Sequence, residues 1–461
     1  MYTMVSVGRP RVDATVPAGV LELLPTLTRA CFSTEATRIA IGKLLREQPE
    51  LASWVRTDTR AALPLASDER LFPSSSEEIA LVLRDRGFEH EISLSPAEGA
   101  QLGELLRARD QEELHNLVGG AVGPDLDVDA RGQEAEAKTW PQVDRPGVYR
   151  REHACLVVRS RDASVLIDPV ARLAGSLPGL DRAPGHSDIP DLAAIAITHS
   201  HRDHWHLPTI LHAAGRSDIP VVVPVVPRIN LLCTLDFEDD LNVLGQASMA
   251  PGWGRTIEFG DLEIDILPFR GEQPTVVGPG APPGVRNFGN CYRFTCSEFS
   301  VMVMVDSGTD PEGSVDEVLA QSVRDRGPPD LILACLRQFE APFFGGLPVD
   351  WLSLSPSRLE QLWKDREAGQ LSSVTQGPRG WATAAACAGA RQFMAYAHGF
   401  EGIGMPIRDS GWGHGEPSEQ ELLAELEASN PGSNCRVAVW NPGDWVSFGR
   451  GTLEVHRAEP R

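Results

Sequence analysis

The residues with the clearest chemistry lie together at Thr198-His199-Ser200-His201-Arg202-Asp203-His204. Three imidazoles and one carboxylate fall within six positions. Alternate side chains of an extended segment point the same way, so His199 and His201 can grip one ion. Asp203 and His204 come after the chain turns and can face a second ion. Imidazole suits first-row transition metals, and a carboxylate adds a hard oxygen ligand. The segment follows the apolar run LAAIAIT and precedes LPTILHAAG. A strand end and a helix start would therefore hold it, which separates it from a histidine-rich surface loop.

These ligands need a scaffold, and the sequence around them supplies one. YRREHACLVVRS, SVLIDPV, LAAIAIT, IPVVVPV, LEIDILPF, YRFTC, SVMVMVD, DLILACL and FMAYAH read as strands, with helical stretches such as LPTILHAAG and VDEVLAQSVRD between them. That alternation predicts a layered α/β domain over 138–461. Residues 1–118 read as a mainly helical domain. Ser74-Ser75-Ser76-Glu77-Glu78 before IALVLRDRG looks like a capping box with Gly87 as the stop. Ser95-Pro96-Ala97-Glu98 starts a helix that would run on to Gly119-Gly120, and TEATRIAIGKLLREQ suggests another. Residues 119–137 lack apolar periodicity and read as a linker. The N-terminal region carries no catalytic constellation and reads as an accessory or recognition module. A dimerisation surface is a further reading of it, so a homodimer stays open.

The chain of 461 residues is 42% hydrophobic and 23% charged, which suits a folded globular protein. No apolar run reaches the roughly 20 residues of a membrane span, and no signal peptide is read at the N-terminus, so the expected location is the cytoplasm. Asp and Glu number 64 against 42 Lys and Arg, a formal charge of −22. Nucleic acid is therefore not expected as a partner, because phosphate binding needs a basic face. The eight cysteines are scattered with no CxxC pair, which argues for reduced, buried thiols.

The histidine-rich segment resembles the HxHxDH signature of the metallo-β-lactamase superfamily. That resemblance implies an αββα sandwich with a two-metal site between its sheets, and it covers about two-thirds of the chain. It also implies ligands on later strands. Where the hydrolases of the superfamily carry a histidine, LEIDILPFRGEQP has none but offers Glu272. Asp306 in SVMVMVDSGTD falls where a metal-bridging aspartate is expected, and His398 in FMAYAHGFEG where a last histidine is expected. His414 in GWGHGEP is the alternative last ligand. His153 lies on what reads as the first sandwich strand, with a structural role beside the metals. His206 and His212 fall on the helix after the motif and read as packing or solvent-facing residues.

Glu272 within PFxGE is similar to the non-haem diiron β-hydroxylase branch. That branch is known from chloramphenicol biosynthesis, where an amino acid tethered to a peptidyl carrier domain is hydroxylated. The resemblance implies two iron ions with dioxygen as co-substrate and an external electron donor. His199, His201 and Glu272 would hold one iron, Asp203, His204 and His398 the other, and Asp306 would bridge them. Glu272 and Asp306 are the residues expected to matter most to catalysis. Against the four positive charges of two divalent ions, Asp203, Asp306 and Glu272 set three negative ones, a hard anionic set that favours iron and stabilises its ferric state. The implied activity is hydroxylation or oxidation of a small or carrier-tethered substrate. The alternative is a dinuclear zinc hydrolase of the same fold, cleaving an ester, lactone or phosphodiester. A non-catalytic scaffold is the third reading.

Overall fold

The structure is a computed structural model. It describes residues 2–7, 79–85, 88–108, 140–170, 186–201, 203–226, 236–271, 289–310, 312–338, 373–398, 419–429, 434–449 and 452–458, with 361, 364, 365 and 368–370 besides. The remaining expectations lie outside these residues: the linker 119–137, the helix over TEATRIAIGKLLREQ, Glu272 and His414.

The described N-terminal elements are β1 (Tyr2–Val7), β2 (Ile79–Asp85), β3 (Phe88–Leu94) and the helix α1 (Pro96–Ala108). The expected helix over IALVLRDRG is thus a strand, which corrects the mainly helical reading of this stretch. β2 is the middle strand of an antiparallel sheet, paired with β1 on one side and β3 on the other. Two ladders of backbone hydrogen bonds outweigh a local capping signal. The alternation in FEHEISL is a strand signal that the neighbouring run alone did not give. The helix after Ser95 forms over Pro96–Ala108, with Ser95 and Glu98 exchanging capping hydrogen bonds, and its expected continuation to Gly119-Gly120 lies outside the described residues.

The sandwich begins with β4 (Gly147–Arg150), β5 (Leu156–Arg159), β6 (Ser164–Ile167) and β7 (Leu192–Ala196). Then come α2 (Leu207–Ala214), β8 (Val221–Val222), α3 (Phe237–Val243) and β9 (Ser248–Met249). The second half holds β10 (Thr256–Phe259), β11 (Leu262–Pro268), β12 (Asn290–Thr295), β13 (Ser300–Val305), and the small hairpin β14 (Thr309–Asp310) and β15 (Gly313–Ser314). It continues with α4 (Val315–Arg326), β16 (Leu331–Ala334), α5 (Gly377–Cys387), β17 (Gln392–Ala395), α6 (Glu419–Ala428) and β18 (Arg436–Ala438). β19 (Trp445–Phe448) and β20 (Leu453–His456) return to the first half.

One sheet runs β20-β19-β4-β5-β6-β7-β8-β9 and the other β10-β11-β12-β13-β16-β17-β18. β6 to β9 are parallel, as are β13, β16, β17 and β18. The central runs SVLI and LILA are buried throughout, as parallel strands covered on both faces must be. β11 alternates buried and half-buried residues, the mark of a strand nearer the margin. The main core lies between the sheets and extends under α4, α5 and α6. A second core lies between the outer face of the first sheet and α2 and α3, and it includes Leu102 and Leu106 of α1. This is the αββα sandwich, with the N-terminal helix built into one outer layer. Gly103 makes that approach close, since a Cβ there would sit 2.0 Å from the Leu244 carbonyl oxygen. Among the described residues no helix is long and apolar enough to cross a membrane.

Candidate metal centre

The parallel strands end at one edge of the sandwich, and the chemistry-bearing residues sit on those ends. β7 delivers the histidine motif. Its extension is fixed on both sides, by the Ile197 amide donating to Val222 O at 2.9 Å and the Asn290 amide to Thr198 O at 2.6 Å. His199 forms a β-bridge with Gly289, and its ring stacks on Phe269 with centroids 5.2 Å apart. The chain then turns, with the amides of His204 and Trp205 both donating to His201 O. The turn returns the His204 ring to 4.0 Å from that of His199, while His201 lies 4.7 Å from His199.

β13 delivers Asp306. Its Oδ2 is 3.3 Å from His204 Nε2 and 3.7 Å from His199 Nε2. The donor atoms of His199, His204 and Asp306 lie within 4.8 Å of one another, and those of His153, Asp203 and His204 form a second such group. Asp306 Oδ1 is buried with no hydrogen-bond partner, on the side of the carboxylate away from His204. Buried lone pairs converging without a donor are costly in a bare protein and are what a cation would use. The donor set therefore fits a metal.

His153 corrects one expectation. It lies in the tight turn between β4 and β5, with φ +50°, and not on a strand. Its carbonyl accepts from the Ala397 amide, and its Nε2 is 3.1 Å from Asp203 Oδ2. His398 follows β17 and is buried, but it belongs to neither donor group. Its Nε2 accepts from the Leu336 amide at 2.9 Å, and its carbonyl from the Arg337 guanidinium. His206 precedes α2 and bonds Thr209 Oγ1 at 2.7 Å, and burial pushes its imidazole down to about 4. Neither it nor His212 joins the cluster.

Sequence reading passed over Asp168. Its fully buried carboxylate accepts from Thr198 N at 2.8 Å and Thr198 Oγ1 at 2.6 Å, and it lies 2.8 Å from His204 Nδ1. With the proton on Nδ1, the Nε2 lone pair of His204 faces Asp306. The available signal was an Asp-Pro at the end of SVLI, one strand away from the histidine motif.

Burial, together with the neighbouring imidazoles His204 and His201, holds His199 well below the ordinary histidine range. Burial also lowers His201, so both rings are neutral near pH 7, the form that can bind a metal. For His204 burial pulls downward, but Asp203 and Asp168 outweigh it and raise the ring well above its usual range. The same pairing overrides the effect of burial on Asp203 and holds that carboxyl well below its own. A negative pocket that keeps a proton on His204 is one that a cation can neutralise instead.

The family model described as "Beta-lactamase superfamily domain" matches residues 163–333, the stretch that carries Asp168, the histidine motif and Asp306. Residues 163–333 are thus similar to the β-lactamase superfamily domain. Within the superfamily, the chain resembles the chloramphenicol-pathway hydroxylase branch. A curated relative from Streptomyces venezuelae, "4-amino-L-phenylalanyl-[CmlP-peptidyl-carrier-protein] 3-hydroxylase", is 31% identical over 128 residues, covering 26% of this chain and 23% of the relative. The match thus spans about a quarter of that relative's length. The crystal structure of CmlA, described as a diiron beta-hydroxylase from Streptomyces venezuelae, aligns with a TM-score of 0.50 at 16% identity, over 83% of this chain and 69% of that one. A point mutant of the CmlA beta-hydroxylase aligns with a TM-score of 0.56 at 16% identity, over 99% of this chain and 98% of that one. At that identity the structural likeness is one of fold.

Proposed function

We propose that this chain is a non-haem diiron oxygenase that uses dioxygen to hydroxylate or oxidise a small or carrier-tethered substrate. The observation that carries the reading is the carboxylate content at the strand ends. Asp203 and Asp306 lie among the imidazoles of His153, His199 and His204. β11 then leads through residues 269–271 directly into Glu272, where the fold's hydrolases carry a histidine. In this reading His199, His201 and Glu272 hold one iron, Asp203, His204 and His398 the other, and Asp306 is shared. His398 would bind through Nδ1 or give up its bond from Leu336.

When bound, a diiron pair supplies redox equivalents to dioxygen, with an external donor restoring them. The chain's own residues prepare the site. Asp168 holds the Nδ1 proton of His204 and so fixes which nitrogen faces the metals. His153 steadies Asp203. Phe269 and the apolar inter-sheet core exclude water from the buried side. Residues 1–118 would serve recognition. α1 packs on α2, which starts three residues after His204, so the N-terminal region has a short mechanical route to the ligands.

The test is metal analysis of purified protein made with iron available, joined to its visible spectrum and to oxygen uptake after reduction. Two irons per chain and oxygen consumption are expected. Two tightly held zincs, with no iron uptake and no oxygen consumption, would replace this reading with the dinuclear zinc hydrolase.

A further inference from the structure

The sequence SVMVMVDSGTD ends in a second aspartate that the ligand set does not use. Its side chain is fully buried beside the loop that leads to Glu272. Asp310 Oδ2 accepts from the Gly271 amide at 3.0 Å, and Oδ1 accepts from the Glu312 amide at 2.7 Å. The Arg270 guanidinium lies 3.8 Å from Asp310 and 3.1 Å from Glu312, and 5.3 Å from the Trp253 ring centroid. The Trp253 indole donates in turn to Gly289 O, the residue bridged to His199.

The backbones around this carboxylate are almost in contact. Gly271 has φ +106°, and a Cβ there would lie 2.5 Å from Val374 O and 3.1 Å from Gly308 N. A Cβ on Gly308 would lie 2.1 Å from the same carbonyl. The Gly308 amide donates to Arg270 O at 2.7 Å, and the Thr309 amide to Val374 O at 3.0 Å. The segment that follows Asp306 and the segment that precedes Glu272 therefore form one tightly knit unit, with the Asp310 carboxylate as its side-chain tie.

We propose that Asp310 is a positioning residue that ties the segment before Glu272 to the segment after Asp306, so that the two carboxylates enter the metal centre in a fixed relation. This rests on the reading of Glu272 as a metal ligand. Among the described residues Asp310 meets backbone amides and Arg270 and belongs to neither donor group, so the role assigned to it is one of placement. Loss of such supporting contacts typically costs about 10–100-fold in metal affinity.

The experiment is a double-mutant cycle on the full chain. Iron(II) and zinc(II) affinities would be measured by competition with a chromogenic chelator for wild type, Asp310→Ala, Glu272→Ala and the double variant. The expected result is that Asp310→Ala weakens binding of the looser metal by about 10–100-fold in the wild-type background and has little further effect once Glu272 is gone. Asp310→Asn keeps one acceptor oxygen and should fall between the two. It also serves if thermal unfolding shows that the alanine variant does not fold. Equal losses in both backgrounds would make Asp310 a general structural residue and overturn the proposal. So would unchanged affinity in both Asp310 variants while Glu272→Ala loses metal, an outcome that leaves the Glu272 assignment standing. Unchanged affinity in Glu272→Ala would remove that assignment, and this role for Asp310 with it.

Discussion

Asp168 Oδ2 and His204 Nδ1 lie 2.8 Å apart, both side chains fully buried, and the contact joins the ends of two neighbouring parallel strands. His204 is shared by both donor groups, so the carboxylate behind it governs the whole site. Asp168→Ala should weaken metal binding by about 10–100-fold, and Asp168→Asn should do less, since it keeps one acceptor. Chelator competition measures both. Removing one member of a buried, hydrogen-bonded ion pair also costs about 3–5 kcal/mol, which denaturant unfolding of the metal-free protein would show. Equal metal affinity in wild type and the alanine variant would mean that His204 is not a ligand.

Glu272 separates the two enzyme readings. A third carboxylate lowers the charge of the centre, which weakens water activation and makes ferric iron easier to reach. Glu272→His should keep metal, because imidazole is a competent ligand, but slow the reaction of the reduced protein with oxygen. A slowing of about tenfold corresponds to about 1.4 kcal/mol of barrier. Glu272→Ala should also lose metal. Stopped-flow oxidation paired with metal content reports on both variants, and no change in either quantity would place Glu272 outside the centre.

The N-terminal helix makes a prediction about stability. Leu102 is fully buried in the outer core with Leu207, Ile210 and Leu211 of α2. Leu102→Ala should lower unfolding free energy by about 2–5 kcal/mol while leaving metal content per folded chain unchanged. A truncation that removes residues 1–137 keeps all the proposed ligands, yet it strips this face and should be less stable than the full chain. Denaturant melts of both forms, with metal analysis, check this.

Asp240 on α3 gives a pH signature away from the metals. Burial comes first, and the carboxylates of Asp236 and Asp239 add to it, raising the Asp240 carboxyl well above its usual range. The folded state therefore holds this proton more tightly than the unfolded state does. The associated stability is fully present below the unfolded value of about 3.9 and is lost as pH rises through the folded value. Asp240→Asn should raise the melting temperature at pH 7 to 8, with the gain shrinking toward pH 4. A constant difference across that range would show that the carboxyl does not titrate as described.

Much of the candidate site is legible in the sequence as a pattern, because its parts are local. The histidine motif spans six residues, and its flanking strand and helix carry their own periodicity. The β13 end at Asp306 and the helical run VDEVLAQSVRD of α4 follow from equally short patterns. The rest depends on contacts between distant positions. Asp168 reaches His204 only because β6 and β7 pair in parallel. His398 Nε2 meets a backbone amide 62 residues earlier in the chain. β2 is a strand because of partners on both sides, and its own residues also suit a helix.

Five described non-glycine residues have positive φ, and four of them, His153, Asp168, Val305 and Ala397, sit at or beside the proposed ligands and their supports. Each such conformation costs on the order of 1–3 kcal/mol and persists only where its surroundings impose it. Aiming side chains inward from strand ends thus sets catalytic geometry against durability. Selection for heat resistance alone would favour glycine or asparagine at these positions. Variants improved that way would be the ones whose ligand loops gain freedom to drift, so greater robustness here would come with a slacker grip on metal.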